Sequence, residues 1–180
     1  YDAKGLLMSA IQEDNLVVFS EDKTLLGQKG NVPEEPYTIE IGKANVTREG
    51  DDLTIVAIGK MVAVAEETAE KLAEDQVSVE VIDLRSVSPW DQETVLDSVK
   101  KTGRLIVIDE SNPQCNIAGD VASVIGDVGF DYLDGPIKKV TAPDTPVPFA
   151  ANLEAAYMPN ADKVLDIASE LIDDLKKANA

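Results

Sequence analysis

The chain has 180 residues, 44% hydrophobic and 28% charged, which suits one globular domain with a sizeable core and an appended piece. Its 34 acidic against 16 basic residues leave a formal net charge of −18. That argues against binding nucleic acid or an anionic membrane, because both need clustered Lys and Arg. There is no histidine, so the commonest general base and the commonest metal ligand are both missing.

Two readings of the acidity remain. One is a basic partner docked on an acidic face. The other is a salt-rich cytoplasm in which surface carboxylates keep the protein dissolved while salt screens their repulsion. The acids are spread along the chain rather than gathered in one block, which favours the second. One cysteine forms no internal disulfide, and the longest apolar runs, "IVAI" and "LIVI", are too short to span a bilayer. The opening residues lack the basic start and apolar run of a signal peptide. The expectation is a cytoplasmic protein.

In chain order, "DAKGLLMSAIQED" reads as a helix capped by Asp2, with Leu6, Leu7, Ala10 and Ile11 on one face. "LVVFS", residues 16–20, reads as a short strand. The Gly-, Pro- and charge-rich stretch up to Tyr37 reads as a connection between domains. "NVTREG" suggests a strand and turn, and 52–59 a fully buried strand, continuous in apolar β-branched residues. A helix over 62–75 turns Val62, Ala65, Ala69 and Leu72 inward, and 77–85 is the next strand, ending at Arg85. Ser88 as cap with Pro89 in the first turn and Asp91 at the third position starts a helix that Gly103 closes.

The most apolar strand, 104–109, is expected at the sheet centre. The loop after it leads to a helix with Ile117, Val121, Val124, Ile125 and Val128 on one stripe. Residues 136–143 form a further strand, and 144–160 wrap without period. A closing helix over 161–177 turns Val164, Leu165, Ala168, Leu171, Ile172 and Leu175 inward. Strand and helix alternate at crossover spacing, so the fold class is α/β, a mostly parallel sheet with helices on both faces.

No residue pattern composes a catalytic centre. Cys115 lies in a strand-to-helix loop, where α/β folds place ligands, but no histidine can activate it. Asp109, Glu110 and Asp120 nearby would raise its pKa. A thiol packed as a small hydrophobe is the reading that follows. Gly59–Lys60 lacks the rest of any phosphate-loop motif, and Asp109–Glu110 point to opposite sides of a strand end. Arg85 can make a bidentate ion pair, structural or at an interface, and Trp90 can anchor an interface or pack in the core.

Three separated segments, "VPEEPYTIEIGKANVTREGDDLTIVAIGKMVAVA", "VEVIDLRSVSPWDQETVLDSVKKTGRLIVIDES" and "APDTPVPFAANLEAAYMPN", together resemble the β subunit of thiamine-diphosphate-dependent 2-oxo acid dehydrogenases. This family includes the pyruvate, branched-chain 2-oxo acid and acetoin enzymes. "DESNPQCNIAGDVA" is most similar to the acetoin branch, from which the chain departs at Asp144, often histidine there.

The resemblance implies a three-layer α/β/α fold of the transketolase C-terminal type. Its five-stranded sheet is mostly parallel with one antiparallel edge strand, a place "NVTREG" fits. It implies that residues 1–35 are a remnant of a pyrimidine-binding domain plus linker, and 36–180 the complete C-terminal domain. Thiamine diphosphate and Mg²⁺ would belong to the parent enzyme, none being bound by this fragment, and no catalytic residue transfers. The implied role is assembly with an α subunit and a second β subunit, and docking of a basic domain of the acyltransferase on 129–139 and the C-terminal end. Arg85, Trp90 and Asp134 are the interface candidates. The alternatives are a free-standing flavodoxin-like protein that binds a flavin or nucleotide, and a stand-alone interaction domain.

Overall fold

A computed structural model describes residues 1–178, with side chains as far as 172. The elements run α1 (Asp2–Gln12), β1 (Asn45–Arg48), β2 (Leu53–Ala57), α2 (Met61–Glu74), β3 (Val79–Asp83), α3 (Gln92–Thr102), β4 (Leu105–Ile108), α4 (Ile117–Val128), β5 (Lys138–Val140), α5 (Ala151–Tyr157) and α6 (Ala161–Ala178). The sheet order is β1-β3-β2-β4-β5. β3, β2, β4 and β5 are parallel, and β1 joins the edge antiparallel, with Asn45 opposite Asp83 and Val46 opposite Ile82. This is the expected five-stranded, three-layer architecture. One strand is displaced: β2, not β4, is central, because the chain returns across β2 between β3 and β4.

Both β2 and β4 are buried along their whole length, as continuous apolar runs covered on both faces should be. On one face Ile55, Val81, Ile106 and Ile108 pack under α2 and α6. On the other Val56, Ile82, Leu105 and Val107 pack under α3 and α4. Thr54 is the polar interruption in β2. Its hydroxyl lies 2.6 Å from that of Ser98 and 2.7 Å from that of Thr102, so the buried oxygens satisfy one another.

The start of α3 differs from the sequence expectation. Asp91, not Ser88, is the N-cap: its carboxylate accepts from the Thr94 N–H and hydroxyl and from the Ala44 N–H. Burial pushes the Asp91 carboxyl up, but the Thr94 and Ala44 bonds and nearby Lys43 outweigh it and hold the group below its ordinary value. Gly103 ends α3 at φ 69°, as expected of a left-handed C-cap.

The largest departure is N-terminal. No strand forms at 16–20: Leu16 is 95% and Val18 88% exposed, and no backbone bond ties 14–21 to another element. Strand-forming residues need a neighbouring edge, and among the described residues 16–20 pair with none. In α1 the buried residue is Gly5, seated against Tyr37 and Ile39, while Leu7 and Ile11 of the predicted stripe are exposed. Asp2 is inside the helix rather than its cap.

Val128 likewise leaves the buried stripe of α4. A short helix, α5, occupies the stretch expected to have no period. In α6, Val164, Ala168 and Leu171 are buried as expected, and Leu175 lies outside the described side chains.

Candidate functional site

Reversal of strand order between β2 and β4 makes their C-terminal ends the switch point, where open α/β sheets hold ligands. Here that crevice carries an ion pair. Lys60, at the end of the β2 loop, lies 2.6 Å from Glu110, which follows β4. The hydrogen bond to Glu110 raises the Lys60 pKa, burial opposes it, and the charges of Asp22 and Glu154 add to the rise. A phosphate approaching the α2 N-terminus would meet the Glu110 carboxylate, which speaks against a flavin or nucleotide there.

The neighbouring loop is tied down by its own polar groups. Buried Asp109 accepts from Ser111 N–H (2.9 Å) and Ala118 N–H (3.4 Å). Asn116 caps α4 through the Gly119 N–H at 2.7 Å. Cys115 is exposed at φ 51°, which corrects the expectation of a packed thiol: the turn that lets Asn116 cap α4 leaves Cys115 facing out. Among the described residues no three His, Cys, Asp or Glu side chains are grouped to hold a metal.

Arg85 follows β3 at φ 57° and is 13% exposed. Its Nη2 donates to Asp2 of α1 at 2.6 Å, and its Nε is buried without a partner. Its backbone N–H donates to Asp83, whose pKa is raised by burial and by Asp2, against the pull of Arg85. Arg85 therefore fastens α1 to the end of the sheet from inside the chain. Trp90, half-buried, packs against the core layer under α3 and α4.

Asp134 lies elsewhere. It precedes β5, its N–H donates to the Gly103 carbonyl at 2.8 Å, and its carboxylate lies where any side chain at position 103 would have to go. With Gly126, Phe130, Leu133, Pro136 and Ile137 it lines an open groove of about 460 Å³. The sheet thus separates the three candidates: Arg85 and Trp90 follow β3 at the C-terminal ends of the strands, and Asp134 sits at the opposite end.

Sequence reasoning missed the segment after β5. Val147, Phe149 and Leu153 are exposed there, held over the 109–116 loop by Asn112 donating to the Pro143 carbonyl at 3.1 Å. The signal was present in "VPFAANL", an apolar cluster without the period that would bury it.

The domain is a three-layer α/β/α fold with one antiparallel edge strand and an ion pair at its switch point. Residues 42–164 match the family model for the transketolase C-terminal domain, and the chain belongs to that family. It is 52% identical over 172 residues to the acetoin:2,6-dichlorophenolindophenol oxidoreductase subunit beta of Bacillus subtilis, covering 96% of this chain and 50% of that protein. It is 46% identical over 174 residues to the pyruvate dehydrogenase E1 component subunit beta of the same organism, covering 96% and 53%. Among solved structures, a split gene transketolase described as an inactive beta4 tetramer matches with a TM-score of 0.66 and 30% identity over 79% of this chain and 46% of that one. The chain spans about half the length of the curated relatives it matches.

Proposed function

We propose that the chain is the C-terminal part of the β subunit of a thiamine-diphosphate-dependent dehydrogenase of the acetoin or pyruvate type, and that its work is assembly and partner docking. The observation that carries this is the 52% identity over nearly the whole chain to an acetoin-oxidoreductase β subunit, at half that subunit's length. In this reading the parent enzyme, an oxidoreductase of the cytoplasm, cleaves or decarboxylates a 2-oxo compound and passes the acyl group to lipoamide.

Residues 1–35 are the remnant of a pyrimidine-binding domain with its linker, and 36–180 the docking domain. One observation supports the division: the strand-like 16–20 pairs with no strand here, although α1 is fastened to 36–180 through Asp2 and the Gly5 carbonyl. The partners are an α subunit, a second β subunit and the acyltransferase. A basic domain of the last would dock on 129–139, where Asp134 flanks the groove beside exposed Phe130. At the other end Arg85 and Trp90 would serve the assembly indirectly, Arg85 by fastening α1 and Trp90 by packing against the core layer.

In this reading thiamine diphosphate and its Mg²⁺ are held by other parts of the parent enzyme. What supports it is that among the described residues no three His, Cys, Asp or Glu side chains are grouped to hold a metal, and that the Lys60–Glu110 ion pair stands at the switch point. Calorimetric titration of the chain with thiamine diphosphate and Mg²⁺ tests the reading. The expected result is no heat of binding; micromolar affinity for the chain alone would overturn it.

A further inference from the structure

We infer that the Asp134–Gly135 peptide is a site of covalent self-modification, at which the aspartate side chain closes onto the glycine nitrogen and reopens as an isoaspartyl link. The only co-reactant is water. The chemistry is independent of the assembly reading.

Sequence and structure meet at this peptide. Asp134–Gly135 is the one Asp–Gly pair in the chain, and Asn–Gly does not occur. Ring closure needs a following nitrogen that the carboxyl carbon can reach, and glycine alone brings no β-carbon to crowd it. It also needs that N–H to be free. Among the described residues the Gly135 N–H donates to no carbonyl. Asp134 is exposed and Gly135 half-buried, in the irregular stretch before β5, so water reaches the peptide.

The aspartate is held by its backbone and left free at its side chain. Its N–H donates to the Gly103 carbonyl at 2.8 Å, and its carboxylate lies against Gly103. Among the described residues no donor or cation engages that carboxylate, whereas Asp83, Asp91 and Asp109 spend theirs on backbone N–H groups. Asp97, Asp120, Asp127 and Asp162 lie in helices, where ring closure would break the backbone ladder. Each of these other aspartates is also followed by a residue with a side chain.

The step balances without an oxidant or reductant. The Gly135 nitrogen attacks Cγ of the protonated Asp134 carboxyl, and an N–C bond forms. The carboxyl hydroxyl leaves as water with the proton of the nitrogen, which gives a cyclic imide. A second water opens the imide at either carbonyl. Opening at the α-carbonyl leaves Gly135 bonded to Cγ, with a methylene added to the main chain and the free carboxylate on Cα. Net charge is unchanged. The connection from the Gly103 contact to β5 becomes one atom longer, so the groove lined by Asp134, Pro136 and Ile137 changes shape.

The test incubates the folded chain for weeks in near-neutral water enriched in heavy oxygen, below its unfolding temperature. Isoaspartate is counted with an isoaspartyl methyltransferase and located by mass spectrometry of peptides. The expected product accumulates at residue 134 several-fold faster than at any other aspartate and carries one heavy oxygen. Gly135→Ala should slow it several-fold, because a β-carbon shields the nitrogen. Asp134→Glu keeps the charge but must close a larger ring, and the product should vanish. Circular dichroism checks that both variants keep the fold. No product from the folded chain overturns the inference, even where the urea-unfolded chain forms it, since the fold then shields the peptide. Product that Gly135→Ala leaves unchanged, or that is spread evenly over the aspartates, overturns it as well.

Discussion

Two stretches of this chain are nearly the same in kind: "LVVF" at 16–19 and "LIVI" at 105–108. Both are short, apolar and rich in β-branched residues. The second is strand β4, completely buried, paired to β2 on one side and β5 on the other. The first is extended chain with Leu16 and Val18 almost fully exposed. The difference is not in propensity. β4 is delivered by α3 into a slot between two strand edges, whereas 16–19 leaves α1 with no edge beside it. A strand is a relation between segments, and β-propensity measures how well a side chain fits that relation once it exists.

This comparison can be broken or sharpened by substitution. The largest expected effect is in β4: Ile106→Ala should cost about 2–5 kcal/mol of unfolding free energy, because the methyl groups leave a cavity under α2 and α6. Chemical denaturation checks it; a loss below about 1 kcal/mol would mean the slot is not tightly packed. Next comes the cap of the helix that delivers β4. Asp91→Ala should cost about 1–2 kcal/mol, since it strips acceptors from Thr94 and Ala44.

The same carboxylate sets a pH dependence with a definite sign. Its folded-state pKa is depressed, so its contribution is complete above the unfolded value of about 4 and is lost as pH falls through the folded value. Asp83, raised by burial, acts in the opposite sense: it opposes folding in full above its folded pKa, and that cost fades as pH falls toward the unfolded value. Asp91→Asn should therefore flatten the acid limb of stability against pH, and Asp83→Asn should steepen it.

The smallest effect belongs to the orphan stretch. Leu16→Ser with Val18→Ser should change the stability of this chain by less than about 0.5 kcal/mol, the range of exposed sites. A larger loss would show that 16–19 already packs against something in this chain.

Much of the fold was legible because it rests on local or pairwise rules. Continuous apolar runs marked β2 and β4, the 3.6 period marked α2 and α6, and Gly103 marked the end of α3. The errors are equally specific. Ser88 looked like a cap because Pro89 follows it, but the backbone turns three residues later and Asp91 takes the role. Cys115 looked packed because cysteine usually is, but a positive φ in the capping loop turned it outward. Of the candidate site residues, Arg85 was recognised as an ion-pair former, and its partner Asp2, 83 positions away, was not. Sequence spacing carries no information across such a separation.

By itself the sequence determined the α/β alternation, the antiparallel edge strand through its resemblance, the absence of a histidine-based centre and the acidic excess. These follow from residue identity and short-range period. Only the tertiary structure decided which of two alike apolar stretches became a strand. It also decided that Lys60 and Glu110 meet at the switch point, and that Phe149 stands exposed after β5. Each depends on where distant segments meet. That is fixed by the summed burial of two core layers, not by any stretch of chain considered alone.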